Sequence, residues 1–189
     1  MTYFNDKQNV QEYIKMCEGT DGKELVDILR RHLNEGSTVL ELGMGPGNDL
    51  NLLKKDYNAT GSDNSQAFLD VYKENNKDIE LLFLDAVTIN TEKQFDCIYS
   101  NKVLQHLTKK ELNQSVLRQQ EVLRDEGLIF HTFWRGDSEE IYNGLRFVYY
   151  EKNELINIFQ GCFKIIEMNY YFEQEDKDSI YIILQKKNK

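Results

Sequence analysis

Four positions in this chain pair acceptor chemistry with a recurring place in the pattern: Glu41, Asp63, Asp85 and the pair Ser100-Asn101 each close a short apolar run. In "TVLELGMGPGNDLNLL", residues 38–53, Val39, Leu40 and Leu42 read as a buried strand. Gly43, Gly45 and Gly47, with Met44 between the first two, then remove β-carbons where the chain must turn sharply and let a ligand approach the backbone. Asn48 or Asp49 is the expected cap of the next helix, with Leu50, Leu52 and Leu53 as its buried face. Strand, loop and helix N-terminus offer free N–H groups and a positive dipole end to an anionic group, although a plain tight turn uses the same glycines. Asp63, 22 positions after Glu41, is suited to accept from both hydroxyls of a ribose; the plainer reading of "SDNS" is a turn or cap. Asp85 has the chemistry to accept from the exocyclic amine of a nucleobase, or is simply a strand-end acid.

These positions act together only if the elements bring them together. "TDGKELVDILRRHL" sets Leu25, Ile28, Leu29 and Leu33 on one helical face, with Asp21 and Glu24 spaced as a capping box. "ATGSD" predicts a strand ending at Asp63, and Ser65 caps a helix carrying Phe68, Leu69 and Tyr72. "IELLFLDA" predicts a strand ending at Asp85, and "FDCIYSN" one ending near Asn101. Thr108 and Glu111 form a second capping box, before a stripe of Leu112, Val116, Gln119 and Leu123. "GLIFHTFW" is a fifth strand and "KNELINIF" a helix; "FKIIEMNYYF" and "SIYIILQK" are late strands joined by the acidic turn "EQEDKDS". The alternation predicts an α/β fold, a doubly wound parallel sheet with a hairpin at one edge. In such sheets ligands sit outside the carboxyl ends of the strands, where all four acceptor positions fall.

At 189 residues the chain suits one domain, residues 1–189, and its single proline, Pro46, lies inside the glycine loop, so no proline-rich linker divides it. The formal charge of −9 opposes unaided binding to nucleic acid or to an anionic membrane. Lys54-Lys55, Lys109-Lys110 and Lys186-Lys187 are short groups that read as solvated surface. No apolar run approaches a membrane span, and "MTYFNDKQN" is no signal peptide. Cys17, Cys97 and Cys162 lack CxxC spacing, which suits reduced thiols in a cytoplasm.

A dinucleotide fingerprint G-x-G-x-x-G requires glycine at 48, where this chain has Asn48, and no lysine follows Gly47 as a phosphate loop demands. The residues instead resemble the class I S-adenosylmethionine-dependent methyltransferases of small-molecule type. "VLELGMGPG" is similar to their first motif, "TGSDNS" to the second, "LLFLDA" to the third and "FDCIYSNKVLQHL" to the fourth. "LRDEGLIFHTF" resembles the segment that follows, with Asp125-Glu126-Gly127 where the family often has Pro-Gly-Gly. The resemblance implies a Rossmann-like seven-stranded sheet with helices on both faces and an antiparallel last strand. It also implies S-adenosyl-L-methionine as cofactor and S-adenosyl-L-homocysteine as product. By the resemblance Glu41 and the loop Gly43, Met44, Gly45 and Gly47 hold the methionine part, and Asp63 holds the ribose hydroxyls. Asp85 and Ala86 border adenine, and Ser100 and Asn101 lie beside the sulfonium and its methyl. Asn64 stands where the family often carries an apolar residue against the adenine ring. The resemblance further implies an in-line displacement at the methyl carbon, catalysed by positioning and exclusion of water without a metal.

His106 follows the fourth strand where related enzymes also have histidine, so it is a candidate proton relay, with helix packing as the alternative. His32 and His131 share no close spacing with each other or with a cysteine, which disfavours zinc. Two segments are expected to cover the site: an N-terminal lid in residues 1–20 and residues 133–150 after the fifth strand. Tyr3, Phe4 and Tyr13 are expected to meet Trp134, Phe147 or Tyr149 over a small-molecule acceptor, with Arg135 beside them. The other readings are a catalytically silent binding module of the same fold, and a nicotinamide-dependent oxidoreductase, which Asn48 and Asp85 disfavour.

Overall fold

The computed structural model describes Phe4 and residues 6–187, and Tyr3 lies outside them. In chain order come α1 (Lys7–Met16), α2 (Lys23–Leu29), β1 (Thr38–Leu42), α3 (Asn48–Leu53), β2 (Asn58–Asp63), α4 (Gln66–Asn75), β3 (Glu80–Phe83) and β4 (Phe95–Ser100). A 3-10 turn at Leu104–His106 leads to α5 (Lys109–Val122) and β5 (Leu123–Trp134). The chain ends with β6 (Glu139–Tyr142), β7 (Leu145–Val148), α6 (Lys152–Phe159), β8 (Phe163–Tyr171) and β9 (Ser179–Lys186). Seven strands form one sheet in the order β3-β2-β1-β4-β5-β9-β8. β1 pairs parallel with β2 and β4, β2 with β3 and β4 with β5, whereas β9 is antiparallel to both β5 and β8. The expected seven-stranded sheet with an antiparallel last strand is therefore present.

Period-two alternation divides the core between the two faces of the sheet. Leu40 and Leu42 of β1, Ile98 of β4 and Ile182 of β9 point into one apolar cluster with α5 and α6. Val39, Cys97, Tyr99 and Ile183, their immediate neighbours, point into the other with α2. The strand order reverses between β1 and β4, so the crevice at their carboxyl ends is where a ligand of this fold sits. None of the described helices is long and apolar enough to cross a membrane.

Ser65 Oγ accepts from the Phe68 N–H, and Thr108 with Glu111 forms a full capping box, both as the sequence predicts. The other two caps differ. α3 is capped by Gly47 at φ 81° with no side-chain bond, because the left-handed turn already delivers the chain into the helix; Asn48 and Asp49 lie within it. α2 begins after Gly22, and Asp21 accepts from the Lys23 N–H instead of pairing with Glu24. The helix ends at Leu29, so Leu33 reaches the core from the turn beyond it. β3 stops at Phe83, short of Asp85, and Leu123 opens β5 rather than continuing the α5 stripe.

Residues 133–150 contain a second, two-stranded sheet, β6 paired with β7. Its turn is Asn143-Gly144, with φ of 48° and 78°, and this positive-φ pair matches the twist of a tight hairpin. The excursion is pinched shut at its base, where the Tyr150 N–H donates to Trp134 O and the Gly136 N–H to Tyr150 O.

Candidate functional site

The glycine loop is shaped by what a side chain would strike. Gly43 has φ 66°, and a Cβ there would lie 2.6 Å from both γ-carbons of Val103. At Gly47, φ 81°, it would lie 2.2 Å from the Tyr72 ring. The loop is tied to the end of β2, since the Met44 N–H donates to Ser62 O and the Gly45 N–H donates to Asp63 Oδ2 at 2.9 Å. Asp63 Oδ1 accepts from the Ser65 N–H at 2.8 Å. Burial raises the Asp63 pKa, and backbone N–H groups of Gly45, Ser65 and Asn64 oppose that rise. Asn64 is half-buried beside it.

Three acids face one another behind the loop. Asp49, on the buried face of α3, accepts from the Gly22 N–H, the Tyr99 hydroxyl and Asn101 Nδ2 at 2.6, 2.7 and 3.0 Å. Glu41 has no such company, and its buried Oε2 has no hydrogen-bond partner. Burial, then the charges of Asp49 and Asp63, push its pKa well above the usual carboxylate range. A buried acid with a bare oxygen among other acids is a place for a cation. It opens on a cavity of about 200 Å³ lined by the glycine loop, Glu41, Asp49, Asn101, Lys102 and Tyr13, among others. A larger hollow of about 750 Å³ lies between Lys54 and Glu80 at the opposite ends of β2 and β3, away from these groups.

At the end of β4, Ser100 is fully buried and 2.8 Å from Nδ1 of His131, while His131 Nε2 lies 2.7 Å from Gln119 Oε1. Gln119 Nε2 donates to Ser115 Oγ, which donates to Ala86 O. Gln119 Oε1 can only accept, so His131 donates from Nε2 and Nδ1 accepts from Ser100. Burial holds the His131 pKa down to about 3, so it stays neutral and the chain of bonds keeps one direction. The chain fixes Ser100 and the Ala86 carbonyl in one frame. Asp85 is exposed, and its Oδ1 caps the turn by accepting from the Val87 and Thr88 N–H groups.

His106 Nδ1 sits 2.6 Å from the Arg146 carbonyl oxygen, so Nδ1 carries the proton and Nε2 keeps a lone pair. Its ring packs edge-on against Phe147 at 4.7 Å, and burial lowers its pKa. The expected covering contacts rearrange. Phe4 and Tyr13 pack on each other and on Phe68 of α4, at 5.1, 5.3 and 5.9 Å between ring centres, and not on Trp134, Phe147 or Tyr149. Asn48 Nδ2 holds this N-terminal strap by donating to the carbonyls of Cys17 and Thr20, which draws it over the glycine loop instead of toward β5. Trp134 lies against Lys102, Tyr149 donates to Glu140, and Arg135 pairs with Glu151 in an exposed position.

Asp49, Tyr99 and Lys102 belong to this neighbourhood and were not singled out by residue type. Asp49 had a legible signal: it precedes Leu53 by one helical turn and so shares its buried face.

Residues 39–127 match the family model described as a methyltransferase domain. The N-methyltransferase NodS from Bradyrhizobium japonicum, solved with S-adenosyl-L-homocysteine, superposes with a TM-score of 0.76 at 17% identity over 97% of this chain and 100% of that one. A S-adenosylmethionine-dependent methyltransferase from Clostridium acetobutylicum superposes at 0.78 and 12% identity, with the same coverage of both chains. A 1,6-didemethyltoxoflavin-N1-methyltransferase from Burkholderia thailandensis, solved with 1,6-didemethyltoxoflavin and S-adenosylhomocysteine, gives 0.76 at 15% identity over 88% of this chain and 78% of that one. At these identities the likeness is one of fold.

Proposed function

We propose that this chain is a class I S-adenosylmethionine-dependent methyltransferase that moves a methyl group to a small-molecule acceptor by in-line displacement, a reading supported by its fold and by the methyltransferase-domain match over residues 39–127. The observation that carries the reading is the bare, buried Oε2 of Glu41, faced by Asp49 and Asp63 behind a loop that admits no side chains. That arrangement fits the methionine end of the cofactor, whose ammonium the acids would hold, while Gly43, Met44, Gly45 and Gly47 form a loop along which it could lie close to the backbone. The Met44, Gly45 and Gly47 N–H groups are already spent on Ser62 O, Asp63 Oδ2 and Met44 O.

When bound, S-adenosyl-L-methionine supplies a methyl group on a sulfonium, already activated toward displacement. The protein's share is position and exclusion of water. Asp63 spends one lone pair on each of two backbone N–H groups and keeps others for ribose hydroxyls. Asn64, Asp85 and Ala86 would flank the adenine. Ser100 and Asn101 hold the edge of the site where the methyl lies, Ser100 through its bond to His131 and Asn101 through Asp49 and Thr132. His106 Nε2 is the acceptor of any proton the nucleophile sheds. The strap of Phe4 and Tyr13 covers the cofactor side, and the hairpin in residues 133–150 covers the acceptor side. The acidic charge argues against nucleic acid as acceptor and the 1,6-didemethyltoxoflavin relative is in keeping with a small molecule.

Equilibrium dialysis of the protein against S-adenosylhomocysteine and, separately, NADH tests the reading. The first ligand is expected to be retained and the second not; the reverse result overturns it in favour of an oxidoreductase.

A further inference from the structure

The cavity behind the glycine loop is lined by four acids, Asp21, Glu41, Asp49 and Glu173, and among the described residues by one cation, Lys102. Acids suit the ammonium and sulfonium of the cofactor, and the lysine answers neither of them. Its placement is deliberate in physical terms. Lys102 takes φ 57°, a left-handed backbone that a residue with a β-carbon adopts only at a cost. The Lys102 N–H is fixed there by Thr132 Oγ1 at 2.9 Å. The ammonium donates to Ser179 Oγ at 2.6 Å and lies 3.4 Å over the Trp134 ring and 5.3 Å from the centre of Tyr171. Glu173, in the exposed turn between β8 and β9, is 3.5 Å away.

An ion pair of that kind returns little, while removing an ammonium from water costs more, so pairing with Glu173 does not account for the burial of Lys102. Burial in fact pulls its pKa down to about 8, with Glu173 and Asp178 only partly restoring it.

The side on which the ammonium sits is decisive. The glycine loop and Asp63 belong to the β1–β2 side of the crevice. Trp134, Ser179 and Tyr171 lie at the ends of β5, β9 and β8, across the reversal of strand order. Lys102 is thus drawn away from the cofactor groups and toward the side from which an acceptor must reach the methyl. There it shares one small cavity with the groups proposed to hold the cationic cofactor. With a sulfonium bound there, a negative group beside the ammonium would offset both charges, and the group that comes and goes at that place is the acceptor. Resting on the methyltransferase reading above, we propose that Lys102 binds the acceptor and that the acceptor is a small carboxylate, held by the lysine ammonium on the β4–β5 side of the cavity. Trp134 and Tyr171 act as positioning residues for that ammonium.

Titration of the wild type with S-adenosylhomocysteine comes first; if it does not bind, the methyltransferase reading fails and this proposal falls with it. The protein saturated with S-adenosylhomocysteine is then screened by ligand-observed NMR against small aliphatic and aromatic carboxylic acids, each paired with its primary amide. At least one acid is expected to bind ten-fold or more tightly than its amide. Lys102→Met is expected to lose that acid by ten-fold or more with S-adenosylhomocysteine affinity within two-fold, and Lys102→Arg to retain part of the preference. Acids and amides binding alike, or no acid binding, overturns the proposal. So does Lys102→Met weakening S-adenosylhomocysteine as much as the acid, which assigns the lysine to the cofactor's own carboxylate. The comparison of acids with amides uses the wild type alone and decides the matter even if Lys102→Met does not fold.

Discussion

The Tyr99 hydroxyl donates to Oδ2 of Asp49 at 2.7 Å in the interior of the protein. With the Gly22 N–H and Asn101 Nδ2 it completes a set of three donors to the Asp49 carboxylate oxygens. Glu41, its neighbour, is left as the acid whose charge depends on what enters the cavity.

Glu41 is therefore expected to take up and release a proton with ligand. Burial and the charges of Asp49 and Asp63 keep it protonated well above the usual carboxylate range, and a bound ammonium favours its ionised form. Calorimetry of S-adenosylmethionine binding near pH 6 in buffers of different ionisation enthalpy should show proton release, and Glu41→Gln should abolish it. The effect of Glu41 on stability follows from the same raised pKa. A carboxyl whose folded pKa lies above its unfolded value costs nothing at low pH and destabilises increasingly as pH rises through the folded pKa. Glu41→Gln should thus raise the melting temperature more at pH 8 than at pH 4; equal gains at both would contradict the shift.

Asp63→Ala should weaken S-adenosylmethionine binding by about 1.5–3 kcal/mol, the range for hydrogen bonds to a charged group. Because the same carboxylate anchors the Gly45 N–H, part of the loss should appear as a disordered loop in hydrogen exchange. Unchanged affinity by calorimetry would remove Asp63 from the cofactor's contacts.

Methyl transfer, once an acceptor is in hand, should survive saturating chelator, since an in-line displacement from a sulfonium needs no Lewis acid. Loss of activity that magnesium restores would contradict the mechanism.

Deleting residues 1–13 removes the Phe4–Phe68 and Tyr13–Phe68 contacts, each worth about 0.5–1.5 kcal/mol. The release rate of S-adenosylhomocysteine, followed by stopped flow, should rise roughly ten-fold, the equivalent of about 1.4 kcal/mol of barrier. Circular dichroism should lose only the helical signal of α1 itself, because Val10 is the one residue of α1 that is fully buried. An unchanged release rate would mean that the strap does not gate the cofactor.

The parallel sheet and the residues near the strand ends were legible because most strands are short apolar runs followed by a polar residue, a pattern that survives without tertiary information; the order of the strands was not. Caps were legible where a side chain does the capping, at Ser65 and Thr108, and not at Gly47, where a left-handed glycine does it, or at Gly22, whose N–H is held by the distant Asp49. The β6–β7 hairpin carried its own signal in Asn143-Gly144, but its exposed Glu139, Glu140, Ile141 and Tyr142 give no alternation to flank it. Glu126, at the middle position where the related motif often has glycine, adopts φ 60°, so the turn keeps its shape without the residue that usually announces it. Lys102 was illegible for another reason: its environment is assembled from Trp134, Tyr171, Glu173 and Ser179, which only folding brings to it.

The pinch at the base of the hairpin has a consequence for inheritance. Trp134 and Tyr150 meet through the backbone, so the fourteen residues between 136 and 149 leave the sheet and return to the same place. Such an excursion can lengthen, shorten or change sequence over generations without pulling on β5 or α6. The half of the molecule built on β1, β2 and β3 is insulated from those changes by the width of the sheet. A lineage carrying this architecture is free to drift in what its outer loop touches while its glycine loop stays under the same constraint.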